Sequence, residues 1–176
     1  MLARVFFFAI LFSAPAFAQR TQAPDVIYVP TPYEVVDEML KLANVKKGDV
    51  LYDLGSGDGR IPVTAAKKFG IRAVGIDIDP QRIEEAKDNA KKNGVSKLVE
   101  FRNEDLFRTK FSDATVVTLY LLPDLNVKLR PRLLAELKPG TRVVSHQFDM
   151  GNWKPERKVE LNGRTIYLWT IPPRKP

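Results

Sequence analysis

The chain contains no cysteine. Disulfides, thiolate metal sites, a cysteine nucleophile and a lipidated cysteine are thereby excluded. Histidine is nearly as scarce, with one in 176 residues. A histidine-rich metal cluster cannot form, and no metal site is expected. No Ser/His/Asp or paired-carboxylate constellation is visible by spacing. Internal repeats and low-complexity domains are absent; the N-terminal apolar run is too short to span a bilayer comfortably, and no later stretch is long and apolar enough to do so. What is present is ordinary for a globular protein, at 44% hydrophobic and 28% charged residues. The length suits one domain with a proper core. A net charge of +7 favours acidic partners, an anionic surface or simple solubility, without choosing among them.

The N-terminus reads as an export signal. Arg4 supplies a short basic region, Val5 to Phe12 an apolar one, and Ala16-Phe17-Ala18 a small-x-small cleavage site ahead of Gln19. The segment 1–18 is expected to be removed, leaving a periplasmic or envelope protein; the alternative is an uncleaved membrane anchor. Only Arg4 is charged in that segment, so the mature chain carries one positive charge fewer.

Residues 19–30 form a polar, proline-containing lead-in, and 31–171 the expected domain, with 172–176 as a tail. The centre of that domain is Val50-Leu51-Tyr52-Asp53-Leu54-Gly55-Ser56-Gly57-Asp58-Gly59-Arg60. An apolar β-prone run is followed by three alternate glycines and then by helical spacing in Ile61 to Phe69. Strand, glycine turn and helix can present backbone N–H groups and a positive helix end to an anionic ligand group. A plain glycine turn is the simpler reading. The spacing Asp53-x-Gly55-x-Gly57-x-Gly59 departs from the dinucleotide Gly-x-Gly-x-x-Gly. It resembles the first motif of class I, seven-strand S-adenosylmethionine (SAM) methyltransferases. The resemblance implies SAM as cofactor, with Asp53, Gly55, Ser56, Gly57 and Gly59 wrapping its methionine end.

The flanking chain fits that scheme. Thr31-Pro32-Tyr33-Glu34 predicts a capping box opening a helix to about Ala43, with Val35, Val36, Met39, Leu40 and Leu42 on its apolar side. Thr31 caps that helix alone, or the cofactor's carboxylate as well. Arg72 to Asp77 predicts a second strand ending in an acid beside the glycine turn, where Asp77 can accept both ribose hydroxyls. Asp79, ahead of Pro80, predicts a cap for a helix to about Asn93. A third strand, Lys97–Arg102, leads to Asp105. The resemblance gives Asp105 the adenine amino group and has Ile78 and Leu106 sandwich the ring; a turn residue is the alternative for Asp105.

Asp113–Tyr120 predicts a central fourth strand running into Leu121-Leu122-Pro123. The first and fourth strands flank the switch point of a doubly wound sheet, which places Tyr120 to Pro123 where a methyl group leaves. Tyr120 orients an amine, contacts a sulfonium through its ring, or simply packs. A helix over Leu125–Leu137 is expected to kink or break at Pro131. Thr141–His146 is a fifth strand, ending in the single histidine, whose default reading is a surface or structural residue and whose alternative is a general base. Asn162-Gly163 within 157–170 is the strongest two-residue hairpin signal. The predicted fold is α/β: a doubly wound, Rossmann-like sheet of seven strands, mostly parallel, closed by a C-terminal antiparallel hairpin.

Tyr28-Val29-Pro30-Thr31, the run Asp53 to Ile61 and the Pro123 turn also resemble small protein-lysine methyltransferases of archaea and mitochondria. That resemblance implies transfer of a methyl group to an amine, with protein lysine as acceptor or else a small molecule. Leu119, Leu121 and Leu122 are candidates for apolar walls that lower the lysine pKa. No aromatic-basic pattern points to nucleic acid, and a monomer is expected. The export signal departs from those families. It motivates a different reading, a non-enzymatic exported protein that keeps the fold and binds a nucleoside or a partner.

Overall fold

The computed structural model describes residues 28–174. The expected signal 1–18, the lead-in up to residue 27 and the last two tail residues lie outside the described residues. Within them the elements run α1 (Tyr33–Leu42), β1 (Val50–Leu54), α2 (Arg60–Phe69), β2 (Arg72–Asp77), α3 (Pro80–Lys92), β3 (Val99–Asn103), β4 (Val116–Leu119), α4 (Pro123–Glu136), β5 (Arg142–His146), β6 (Arg157–Leu161) and β7 (Arg164–Thr170). The strands form one sheet in the order β3-β2-β1-β4-β5-β7-β6. β1 pairs in parallel with both β2 and β4, so the chain reverses its direction of winding between β1 and β4. β7 runs antiparallel to β5 and to β6. This is the architecture expected from the sequence.

Side chains alternate across each strand, so successive residues feed opposite faces. On one face Leu51, Val116 and Val144 meet the apolar side of α1 (Val35, Met39, Leu40) and Ile61 and Ala65 of α2. On the other, Tyr52, Leu54, Val117, Val143 and Trp169 meet Leu129 and Leu133 of α4. Every residue of β4 is buried, as befits a central strand. Each fully buried leucine contributes about 1.5–3 kcal/mol. The Asn162-Gly163 turn has φ of +51° and +74°, the left-handed pair that a tight hairpin requires.

Several boundaries differ from expectation. α1 begins at Tyr33, its N-cap is Pro32, and no side chain caps it. The capping box does not form because Thr31 is turned into the protein, where it is buried. Asp79 does cap α3, accepting from the Gln81 N–H. β4 is shorter than read, since residues 111–114 make a turn closed by Ala114 N–H to Phe111 O. α4 starts at Pro123 and passes through Pro131 unbroken. Pro131 is exposed, so its missing N–H and its ring fall on the solvent side, while Leu129 and Leu133 hold the helix to the sheet.

Candidate active site

The glycine turn joins β1 to α2 with all three glycines at positive φ: Gly55 at +89°, Gly57 at +51° and Gly59 at +72°. Four of its donors are already used. Gly55 and Ser56 N–H both reach Ile76 O (2.8 and 2.9 Å), and Gly59 N–H reaches Ser56 O (2.9 Å). Gly57 N–H donates to Asp77 Oδ2 at 2.8 Å. The expectation of free N–H groups fails at these four positions, because the turn is laced to the end of β2. Two of the glycines serve close packing. A Cβ at Gly59 would sit 2.6 Å from the Phe101 ring and 2.8 Å from Ala86, and one at Gly57 would overlap the Tyr28 ring.

Three carboxylates converge around this turn. Asp58 is held by Arg60 through two bonds, Nε to Oδ1 at 2.9 Å and Nη2 to Oδ2 at 2.7 Å. Burial works against its charge, but the guanidinium outweighs that and keeps Asp58 below the usual carboxylate range. Asp77 accepts backbone N–H groups from Gly57 and Asp79, and burial still raises its pKa. Each of its oxygens keeps a further lone pair for a ligand hydroxyl. Asp53 is fully buried, and its pKa is pushed up to about 8 by burial, with a partly offsetting hydrogen bond from Thr118 and repulsion from Asp77 and Asp58. Of the three, Asp58 alone has a cationic partner among the described residues. The remaining acids leave a local deficit of positive charge.

Residues 28–31 lie across this site as a strap. Tyr28 packs against Gly57 and under Arg82, whose guanidinium carbon is 4.7 Å from the ring centroid. Thr31 O accepts from Arg60 Nη1 (2.9 Å), and Thr31 Oγ1 is hydrogen-bonded to His146 Nδ1 (3.1 Å). A cavity opens beneath, at the carboxyl ends of β1 and β4.

The cavity wall brings together Thr31, Asp53, Gly55, Ser56, Asp77, Ile78, Asp105, Leu106 and Tyr120. Gly57, Gly59 and Pro123 are not part of it. The two glycines lie behind the wall, and Pro123 is the exposed first residue of α4. Asp105 also organises its own turn, accepting from Phe107 N–H at 2.8 Å. Of the candidate apolar walls, Leu121 lines the cavity, Leu119 belongs to the core, and Leu122 is 48% exposed. His146 is buried behind Thr31 and is not a surface group. Tyr28, in the run that carries the resemblance, also lines the cavity; sequence reasoning missed Asp58, Arg60, Arg82, Phe107 and Leu125, which line it too. Asp58 and Arg60 stood inside the glycine motif and could have been found there. Nothing local marked Arg82 or Leu125.

Comparison with known proteins agrees with this geometry. Residues 53–157 match the ANTKMT methyltransferase domain. The chain belongs to the ANTKMT methyltransferase family. A protein-lysine N-methyltransferase of Saccharolobus islandicus is 47% identical over 153 residues, covering 84% of this chain and 95% of that one. The adenine nucleotide translocase lysine N-methyltransferase of Mus musculus is 34% identical over 89% of this chain, which spans 68% of the mouse protein's length. Among solved structures, an RNA methyltransferase from Salinibacter ruber in complex with S-adenosyl-L-homocysteine (SAH) is 61% identical, with a TM-score of 0.82. It is matched over 84% of this chain and 97% of its own. The ANTKMT methyltransferase match starts within β1, at Asp53, and takes in the glycine turn and the elements through β5, while the strap lies upstream of it.

The cavity suits SAM on its own chemistry. A sulfonium and an α-ammonium supply positive charge to Asp77 and to Asp53 once it ionises. A ribose diol matches the free lone pairs of Asp77, and an adenine ring matches the apolar pair Ile78 and Leu106.

Proposed function

We propose that this ANTKMT-family chain is a SAM-dependent methyltransferase acting on a lysine side chain of a protein. The observation that carries the reading is the cavity at the β1–β4 switch point, walled by two acids, Asp53 and Asp77, that have no cationic partner among the described residues. SAM supplies a methyl group already activated on sulfur. Asp77 would hold the ribose hydroxyls, Ile78 and Leu106 the adenine faces, and Asp105 the adenine amino group. Asp53 would face the positive charges of the methionine end. Tyr120, Leu121 and Leu125 form the wall at the carboxyl end of β4, where an amine arrives. Little acid–base work is required of the protein. Its task is alignment of the nucleophile and exclusion of water, which also lowers the lysine pKa toward the neutral amine.

Calorimetry with SAH on the full chain, and on Asp77→Ala, tests cofactor binding. Binding by the parent and its loss in the variant is the expected result; no binding by the parent overturns the reading. Transfer of labelled methyl from SAM to envelope protein, with lysines heavier by methyl increments in mass spectrometry, tests the acceptor. An RNA acceptor is the second reading, favoured by the name of the Salinibacter ruber protein. Label in RNA, with strongly salt-dependent binding, would select it.

Export is part of the proposal. It rests on Arg4, the apolar run Val5–Phe12 and Ala16-Phe17-Ala18. N-terminal sequencing of the protein recovered from cells is expected to begin at Gln19, and a mature chain beginning at Met1 would refute cleavage.

A further inference from the structure

His146 stands at the meeting point of the strap and the acceptor side, and two unfavourable features are tolerated around it. Its Nε2 is buried without a hydrogen-bond partner among the described residues. The next residue, Gln147, takes φ of +68°, a left-handed conformation that non-glycine residues seldom adopt. That backbone makes a three-residue turn closed by Phe148 N–H to His146 O at 2.8 Å. The turn is held in place from α4 and β5. Asn126 Nδ2 donates to Phe148 O (3.2 Å), and Ser145 Oγ donates to the same oxygen (2.6 Å). Strain and an unpartnered polar atom at one place indicate a site not optimised for stability alone.

The turn presents two rings to Tyr120. The His146 ring lies 4.0 Å from it between centroids, and Phe148 lies stacked at 6.3 Å. The other edge of the same imidazole holds Thr31 through Nδ1. We propose that His146 is a positioning residue with two separable roles: Nδ1 fastens the strap over the cofactor cavity through Thr31, and the ring fixes Tyr120 on the acceptor side. The imidazole is neutral at physiological pH, because burial first and the Arg164 charge second lower its pKa to about 4. An imidazole with so low a proton affinity is a poor acceptor for the proton of a lysine ammonium, and it serves instead as a fixed hydrogen-bonding plate. Cofactor retention and alignment of the acceptor thus share one side chain.

The proposal rests on the methyltransferase reading, and substitutions separate its two arms. His146→Phe keeps a ring against Tyr120 and removes Nδ1. His146→Asn keeps a hydrogen-bonding atom near Nδ1 and removes the ring. SAH affinity by calorimetry and kcat at saturating SAM are measured on the full chain. His146→Phe is expected to weaken SAH about tenfold, the loss of one hydrogen bond, and to lower kcat by less. His146→Asn is expected to do the reverse. Thr31→Val repeats the first arm and Phe148→Leu the second if a His146 variant does not fold. The same ratio of the two losses in both arms, or neither constant moving, overturns the proposal. A parent protein that binds no SAH defeats the methyltransferase reading instead.

Discussion

Thr118 donates its hydroxyl hydrogen to Asp53 Oδ1 at 2.7 Å, between directly paired residues of β4 and β1. The two strands that flank the switch point are thus joined by a side-chain bond as well as by their backbones. Burial pushes the pKa of this acceptor up to about 8 against the opposing pull of the Thr118 bond, and so makes the cavity sensitive to protons.

SAH affinity should therefore rise with pH. Its ammonium favours ionised Asp53, so binding releases a proton wherever the free protein holds one. An increase is expected as pH rises toward the Asp53 pKa of about 8, levelling above it. Calorimetry in buffers of different ionisation enthalpy reads the released proton directly. Asp53→Asn should bind more weakly above that pKa and lose the pH dependence.

Stability of the ligand-free protein should fall over part of the same range. Asp53 has a folded pKa raised from 3.8 to about 8, so its contribution is complete below the lower value and is lost as pH rises through the upper one. His146 has a folded pKa lowered from 6.5 to about 4, so its contribution is present above 6.5 and is lost as pH falls through about 4. The two oppose each other between those limits. From about pH 6.5 to 8 Asp53 acts without that opposition, and the melting temperature should decline there unless SAH is bound. Asp53→Asn should flatten the decline.

Alanine at Gly57 and at Gly59 should fail in different ways. At Gly59 the new Cβ meets Phe101 and Ala86 in the packed layer between α3 and the sheet. Overpacking and the positive φ together should cost about 2–5 kcal/mol in denaturant unfolding. At Gly57 the obstacle is Tyr28, the outer end of the strap. There the larger loss should be in SAH affinity, with a smaller change in stability.

Pro131→Ala should stabilise the protein. The residue is exposed and interior to α4. Alanine restores a helical N–H and removes the ring's clash, worth up to about 3 kcal/mol in helix propensity, less roughly 1 kcal/mol from a freer unfolded chain. An unchanged or lower melting temperature would show that the helix has adapted to the proline by bending.

Local chemistry made much of this legible in the sequence. Asn162-Gly163 dictates its hairpin, Asp79-Pro80 its helix start, and the glycine turn its strand and helix, because each depends on a few adjacent backbones. Asp77 was readable as the strand-end acid for the same reason. What could not be read depends on distant chain. Thr31 gives up its helix for a partner 115 residues away. Tyr28 finds Gly57, and Phe101 finds Gly59, only once the sheet has assembled. Pro131 reads as a breaker by local rules, and Leu129 and Leu133 override it by burial.

The lacing of the glycine turn onto Ile76 O and Asp77 has one more outcome. A loop with four of its amides spoken for before anything enters has little slack to take up, so spent and fresh donor meet the same mould. The tempo of exchange is then expected to be set by the strap, whose holds are the contacts of Thr31 with His146 and Arg60 and of Tyr28 with Gly57 and Arg82.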